Sequence, residues 1–327
     1  MVEFADSYGR RFEYLRLSVT DQCNFRCTYC LPEGYSKPAD AASPLSIVEI
    51  RRLVTAVSRL GVWKVRLTGG EPTTRSDIVE LARTVAAVPG IRKVAVSTNG
   101  YSLKKLAAPL RAAGVSALNV SVDSLQPERF AAMTGTDRLA GVLSGVETAL
   151  SLGYASVKLN VVMMAGVNSD ELDAFLELVR QRPLSVRFIE LMRTGRNAEL
   201  FARRHYSGAA IKRQLLQRGW QETPRQPGDG PAQTYSRPQS LGTIGVIAPY
   251  SADFCDTCNR VRVTSQGDLR LCLFGHVDVP LRPFLQSDGQ THELMAALQA
   301  AVRAKPSAHR LSEGDHGNTW NLAAVGG

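Results

Sequence analysis

At 327 residues the chain is long enough for one large core or two ordinary domains, and too long to depend on staples as a mini-protein does. Its 44% hydrophobic and 21% charged content is that of a folded protein rather than a disordered one. With 39 Lys plus Arg against 30 Asp plus Glu, the net charge of +9 favours anionic partners such as nucleotides, RNA or an acidic surface, without choosing among them. No segment approaches the roughly 18 apolar residues of a membrane span, and Met1 to Arg11 mixes acids and arginines with no apolar signal core, so a cytoplasmic protein is expected.

From Tyr14 to about Leu191 short apolar runs alternate with longer helical patterns. The expected strands are Tyr14 to Val19, Val62 to Thr68, Lys93 to Thr98, Ala117 to Val122, Ser156 to Met163 and Ser185 to Glu190. Between them Ser46 to Leu60, Asp77 to Val88, Leu103 to Ala113, Leu139 to Leu152 and Ser169 to Arg180 read as helices, with turn signals such as Pro89-Gly90 and Asn99-Gly100 at their ends. Six strands joined by helical crossovers imply a parallel sheet. Polar residues recur at the C-terminal ends of nearly all of them: Thr20-Asp21, Gly69-Gly70-Glu71, Thr98-Asn99, Asp123 and Glu190. A doubly wound sheet concentrates its site at one switch point, whereas a barrel draws on many strand ends. The expected fold is therefore α/β, an incomplete (βα)6 TIM-type barrel over residues 1–222, with a C-terminal α+β extension, residues 223–327, closing its open side. Within that extension Thr223 to Ser240 carries four prolines and is expected to be an irregular excursion. Short strands at Gly245 to Ile247, Arg260 to Thr264 and Asp268 to Leu271 should follow, then a helix from about Thr291 to Arg303.

The six cysteines fall in two sets of three, Cys23, Cys27 and Cys30, then Cys255, Cys258 and Cys272. In a reducing compartment such clustering argues for metal or cluster ligation rather than disulfides. The first set is C-x3-C-x2-C directly after the first strand. Three thiolates can hold three irons of a cubane and leave the fourth open. A structural zinc site would want a fourth protein ligand, and the first histidine in the chain is His205.

This motif resembles the signature of the radical S-adenosylmethionine enzymes, and Gly69-Gly70-Glu71-Pro72, one strand further on, resembles their second motif, which contacts the methionine amino group. The resemblance implies that the amino and carboxylate groups of S-adenosylmethionine chelate the open iron, and that an electron from the reduced cluster yields a 5′-deoxyadenosyl radical.

The second set, C-x2-C-x13-C, admits three readings from its residues alone, unliganded thiols being one of them. His276 follows Cys272 at C-x3-H, so a Cys3His zinc site competes with a second iron-sulfur cluster. Taken with the first set, it resembles the GTP 3′,8-cyclase family of molybdenum cofactor biosynthesis, over nearly the whole chain from Leu15-Arg16-Leu17-Ser18-Val19-Thr20-Asp21 to the terminal Gly326-Gly327. That resemblance implies two [4Fe-4S] clusters, the second presenting its open iron to the guanine base of GTP.

An anionic substrate is also indicated independently. The strands of a helix-covered parallel sheet should be nearly all apolar. Lys64 and Arg66, two apart and so on one face, break that rule, as do Lys158, Asn160 and Arg187. A buried unpaired charge costs about 3–5 kcal/mol, so these cations need a counter-anion. A triphosphate converging on them would serve, and so would internal salt bridges to Asp21, Asp123 and Glu190.

Residue by residue, the resemblance implies that Arg16, Lys64, Arg66, Thr98, Lys158, Arg187, Arg260 and Arg262 bind GTP. Tyr29, Gly69, Gly70, Glu71, Ser121 and Met192 are implied for S-adenosylmethionine. The diglycine Gly326-Gly327 is implied to thread back toward the active site. Gln22, where arginine is common, and Ala323-Ala324-Val325, where bulkier residues are usual, depart from the family pattern. The implied enzyme is a lyase that converts GTP to 3′,8-cyclo-7,8-dihydro-GTP, the first step of molybdopterin synthesis, through hydrogen abstraction at C3′ and attack on C8. Its implied partners are a reduced flavodoxin or ferredoxin-type donor and the downstream cyclic pyranopterin monophosphate synthase, with room for a homodimer and none for a membrane. The competing reading is a radical enzyme acting on RNA or a peptide, which 11 basic against 3 acidic residues from Arg180 to Arg225 would suit. An aromatic content of only 7% speaks against the stacking platforms that single-stranded RNA uses. A non-enzymatic iron-sulfur carrier or zinc-stabilised binding protein is the remaining class.

Overall fold

The computed structural model describes residues 4–37, 42–226 and 228–326. Its first part alternates β1 (Tyr14–Ser18), α1 (Ile47–Arg59), β2 (Lys64–Thr68), α2 (Ile78–Ala86), β3 (Lys93–Thr98), α3 (Leu103–Ala112), β4 (Val115–Ser121), α4 (Pro127–Thr134), α5 (Leu139–Ser151), β5 (Ser156–Met163), α6 (Leu172–Gln181) and β6 (Ser185–Glu190). There follow α7 (Ala198–Arg204), α8 (Gly208–Gln217), β7 (Gln221–Thr223), β8 (Gln233–Ser236), β9 (Thr243–Ile247), β10 (Arg260–Val263), β11 (Asp268–Arg270), β12 (Asp278–Pro280) and α9 (Thr291–Arg303). Every expected strand and helix is present, with ends shifted by three residues at most.

Local chemistry accounts for the helices the sequence announces. Ser46 and Glu49 form a capping box at the start of α1, the Ser46 Oγ accepting from the Glu49 N–H at 3.2 Å and Glu49 Oε2 accepting from the Ser46 N–H at 2.8 Å. Ile50, Leu53, Val54 and Val57 then fall on one buried stripe. Helices α4, α7 and α8 were not expected. They are short, and α4 opens on Pro127 and stops at the left-handed Gly135, signals that also fit a turn.

The sheet corrects one expectation. Strand β7 ends at Thr223 and β8 lies inside the Thr223 to Ser240 stretch, the two pairing antiparallel with Glu222 opposite Tyr235. Their polar composition suits the outer edge of a sheet and hides them from a search for apolar runs. The C-terminal strands join the barrel's own sheet, which is how the extension meets its open side. The order is β12-β11-β10-β1-β2-β3-β4-β5-β6-β9-β8-β7, with β10 parallel to β1 and β9 parallel to β6. The extension thus lengthens the open barrel at both of its edges.

The alternation along the strands explains the polar interruptions. Leu15, Leu17, Val65, Leu67, Leu118, Val120, Leu159 and Val161 pack under the helices in one core. The intervening Arg16, Lys64, Arg66, Asn119, Lys158 and Asn160 face a central cavity. One face of the sheet is dry and the other is not, so the period is two rather than a continuous apolar run. Among the described residues no helix is long and apolar enough to cross a membrane.

Candidate active site

All six cysteines line a single cavity of about 350 Å³ enclosed by the curled sheet. The Cys23–Cys30 loop is fixed from two sides. Arg26 N–H and Thr28 N–H donate to the carbonyls of Thr134 and Met133 at the end of α4, each at 2.9 Å. On the other side Gly70 N–H donates to Thr20 O at 2.8 Å and Glu71 N–H to Gln22 O at 2.7 Å, stitching the glycine pair to the segment that leads into Cys23. The contact is too close for a side chain. A Cβ on Gly69 would lie 2.2 Å from Thr20 O, and one on Gly70 2.3 Å from Gln22 O. Gly69 also has φ +148°.

The donor chemistry of both triads fits an iron-sulfur core. Burial pushes the Cys27 thiol up, and Asp123, Cys30 and Cys23 push it further. Burial followed by Cys23 raises Cys30 to about 11. Three thiols that repel one another's ionisation in a dry loop are relieved by a positively charged core bound between them. In the second triad, burial raises Cys258, but Arg260, Lys305 and Arg262 outweigh it and bring the thiol to about 7, ready to ligate as thiolate. Among the described residues no three His, Cys, Asp or Glu side chains gather round one point that could hold a metal ion. His276, the fourth ligand of the zinc alternative, instead bonds Asp315 through Nε2 at 2.9 Å.

The cations of the strands converge as expected. Arg16, Lys64, Arg66, Lys158 and Arg187 share the cavity wall with Arg260 and Arg262 of β10. The last two arrive because Tyr14 pairs with Arg260 and Arg16 with Arg262 across β1 and β10. Among the described residues, Asp21, Asp123 and Glu190, the acids that might have explained them, hold other partners. Asp123 accepts from Tyr29 Oη at 2.8 Å and from the Val162 N–H at 2.8 Å, Glu190 pairs with His205 at 2.8 Å, and Asp21 accepts from Ser265 Oγ at 2.6 Å. Lys64 Nζ instead donates to Gly228 O at 3.1 Å and lies 4.4 Å from the Tyr14 ring centre. Arg16 Nη2 donates to Gly326 O at 2.6 Å, so the chain's end reaches this wall through Gly326, while Gly327 lies outside the described residues.

Electrostatically the cavity wall is dominated by cations, with Asp123 and Asp229 the acids on it. Burial, then Arg187, Arg66, Lys93 and Lys64, hold Lys158 down at about 6. Burial also lowers Lys64 to about 8, and burial followed by Arg66 lowers Arg187 to about 10. An entering polyanion would reverse each of these shifts.

Tyr29, Gly69, Gly70, Ser121 and Met192 line the cavity near the first triad's strand ends. Two sequence candidates are otherwise engaged. Glu71 does not line the cavity: its carboxylate accepts from Thr73 N–H at 3.0 Å, Thr98 Oγ1 at 2.7 Å and Asn99 N–H at 2.6 Å, and so ties the β2 and β3 ends together. Thr98 reaches the cavity wall, but its hydroxyl is spent on Glu71 and on the Gly100 N–H at 3.0 Å. Local reasoning missed Lys93, Asn119 and Lys305, all on the same wall. Asn119 was findable by the rule that exposed Lys64, since it too is a polar residue inside a parallel strand. Lys305 follows α9 and carries no local signal.

Comparison with known proteins agrees with this geometry. Residues 17–179 match the family model of the radical SAM superfamily, and residues 184–311 match that of Molybdenum Cofactor Synthesis C. The chain is 52% identical to the GTP 3′,8-cyclase of Aeromonas hydrophila, covering 100% of this chain and 97% of that one. It is 49% identical to the GTP 3′,8-cyclase of Yersinia pestis, with 100% of each chain covered. Among solved structures, Streptococcus suis SuiB bound to S-adenosylmethionine superposes with a TM-score of 0.63 at 13% identity, covering 90% of this chain and 68% of that one. The AdoMet-bound anSMEcpe gives 0.55 at 14% identity over 86% and 83%. At such low identity these two likenesses concern the fold, an open α/β barrel.

Proposed function

The chain belongs to the GTP 3′,8-cyclase family within the radical S-adenosylmethionine superfamily, and from that membership we propose how its residues divide the conversion of GTP to 3′,8-cyclo-7,8-dihydro-GTP, the first step of molybdopterin synthesis. Cys23, Cys27 and Cys30 hold one [4Fe-4S] cluster, and Cys255, Cys258 and Cys272 a second. When bound, the first cluster would supply one-electron reduction of S-adenosylmethionine, and the second would supply an iron site for guanine. Gly69 and Gly70 let the backbone come close to the methionine end of S-adenosylmethionine, with Tyr29, Ser121 and Met192 around it. Arg16, Lys64, Arg66, Lys158 and Arg187 take the triphosphate, and Arg260 and Arg262, beside the second triad, fix GTP next to it. Residues 1–222 carry the first cluster and five of the cations, and 223–327 carry the second cluster, Arg260, Arg262 and the diglycine end. An external one-electron donor of the flavodoxin or ferredoxin type is required, and a cyclic pyranopterin monophosphate synthase would receive the product.

The observation that carries this division is that both thiol triads and the strand cations open on one cavity. No histidine lines it except His309, which suits a reaction with little proton transfer. The test is anaerobic reduction with S-adenosylmethionine and each nucleoside triphosphate in turn, followed by product identification. Cyclised product from GTP alone is expected, and turnover of RNA or a peptide instead would overturn the assignment.

The lowered Lys158 yields a pH prediction. At pH 7.5 its amine is largely neutral in the free protein, because its value of about 6 lies below that pH. GTP's negative charge raises it, so binding takes up a proton, and affinity falls as pH climbs from about 6 toward the value in the complex. Calorimetric binding enthalpies at pH 7.5 should therefore change with the ionisation enthalpy of the buffer, and Lys158→Met should remove most of that dependence. Buffer-independent enthalpies in the unaltered protein would show that Lys158 is charged before GTP arrives.

A further inference from the structure

Asn119 lies on the cavity face of β4, in register with Ser97 on β3 and Lys158 on β5. It is 2% exposed, yet neither its Oδ1 nor its Nδ2 has a hydrogen-bond partner among the described residues. Buried amides are almost always satisfied, and an unmet donor and acceptor on one side chain is a standing cost unless a ligand meets both. The neighbouring orphans are of a different kind. Arg66 Nε and Arg187 Nε can only donate, which suits phosphate oxygens. An ionised phosphate offers almost nothing to Oδ1, whereas a hydroxyl both donates and accepts. A vicinal diol matches the whole amide, one oxygen accepting from Nδ2 and the other hydroxyl donating to Oδ1.

The position agrees with that chemistry. Ser121 is two residues further along the same face, toward the strand ends that carry the first triad, and pairs in register with Asn160, whose Oδ1 is also unpartnered. Lys158, beside Asn119, belongs to the phosphate-binding cations. Asn119 thus stands between the S-adenosylmethionine end of the cavity and its phosphate end, where the sugar of a nucleoside triphosphate has to lie for its C3′ hydrogen to be reached. We propose that Asn119 holds the 2′,3′-diol of the GTP ribose and makes the site selective for ribonucleotides. This rests on the GTP reading above. S-adenosylmethionine carries the same diol, and the register with Lys158 favours the triphosphate's sugar.

The experiment is calorimetric titration of the reconstituted holoprotein, and of its Asn119→Ala variant, with GTP, 2′-deoxy-GTP, 3′-deoxy-GTP and S-adenosylmethionine. Iron content and melting temperature are measured alongside, and Asn119→Ser is read in the same way should the alanine variant lose its clusters. The unaltered protein should bind each deoxy analogue about tenfold more weakly than GTP. The variant should bind all three nucleotides alike, at or below the deoxy level, with its affinity for S-adenosylmethionine unchanged. A GTP preference that survives in the variant, or a loss confined to S-adenosylmethionine, overturns the proposal. Failure of the unaltered protein to bind GTP at all would instead overturn the functional reading on which it rests.

Discussion

Cys27→Ala is expected to abolish 5′-deoxyadenosine formation, whereas Cys258→Ala should still cleave S-adenosylmethionine while losing the cyclised product. The asymmetry follows from what each thiol touches. Cys27 is held by the loop gripped between α4 and the Gly69-Gly70 turn, and its neighbours on the cavity wall are those proposed for S-adenosylmethionine. Cys258 lies instead among Arg260, Lys305 and Arg262, whose charges pull its thiol down against burial. Loss of either cluster should leave about four irons in place of about eight per chain after anaerobic reconstitution. Measuring iron, sulfide, 5′-deoxyadenosine and cyclised nucleotide on the same samples separates the roles. Wild-type product from the Cys258 variant would mean that the second triad does not hold the base. Roughly four irons plus one zinc in the unaltered protein would revive the Cys3His276 site.

The second large effect is expected at a residue that bonds to nothing through a side chain. Gly69→Ala would put a Cβ 2.2 Å from Thr20 O, at φ +148°, so either the β2 turn or the segment entering Cys23 must move. Both partners are backbone and cannot rotate away. Because the glycine pair and the Cys23 loop are hydrogen-bonded to each other, the displacement passes directly to a cluster ligand. A shift of about 1 Å in such a constellation costs roughly 100-fold in rate. S-adenosylmethionine cleavage should fall by about that factor, while the seven cations of β1, β2, β5, β6 and β10 proposed for the nucleotide, all outside this loop, keep GTP affinity near normal. Equal losses of GTP affinity and cleavage would indicate a general collapse of the sheet instead.

Much of the chemistry was legible locally. The thiol triads show as spacing, the βα alternation as a change of period from two to 3.6, and Lys64 and Arg66 as charges two apart in a strand that should be apolar. These signals survive in a bare sequence because each depends on residues within a few positions of one another. Roles that depend on side chains saturating one another did not survive. Glu71 and Thr98 were implied as ligand contacts by the family resemblance, yet Thr98 Oγ1 donates to Glu71 Oε1 at 2.7 Å and both side chains brace the turn. The reverse holds for Asn119, whose want of any partner is visible only once every neighbouring strand is in place.

The sequence by itself determined the fold class, through six strands with helical crossovers, and the two ligand-like thiol sets with basic residues on one strand face; the reaction class came with the family resemblance that those motifs carry. Only the tertiary structure decided that the second triad faces the same cavity as the first. Cys258 is more than two hundred residues from Cys30, and nothing local to either says that β10 will add to β1 in parallel, with Tyr14 opposite Arg260 and Arg16 opposite Arg262. Strand pairing at that separation is selected by the burial of Leu15 and Leu17 together with Val261 and Val263, a property of the assembled core rather than of either segment. A slip of one residue in that register would turn Arg260 and Arg262 into the apolar layer, so the same packing that stabilises the sheet's edge also aims both arginines at the cavity.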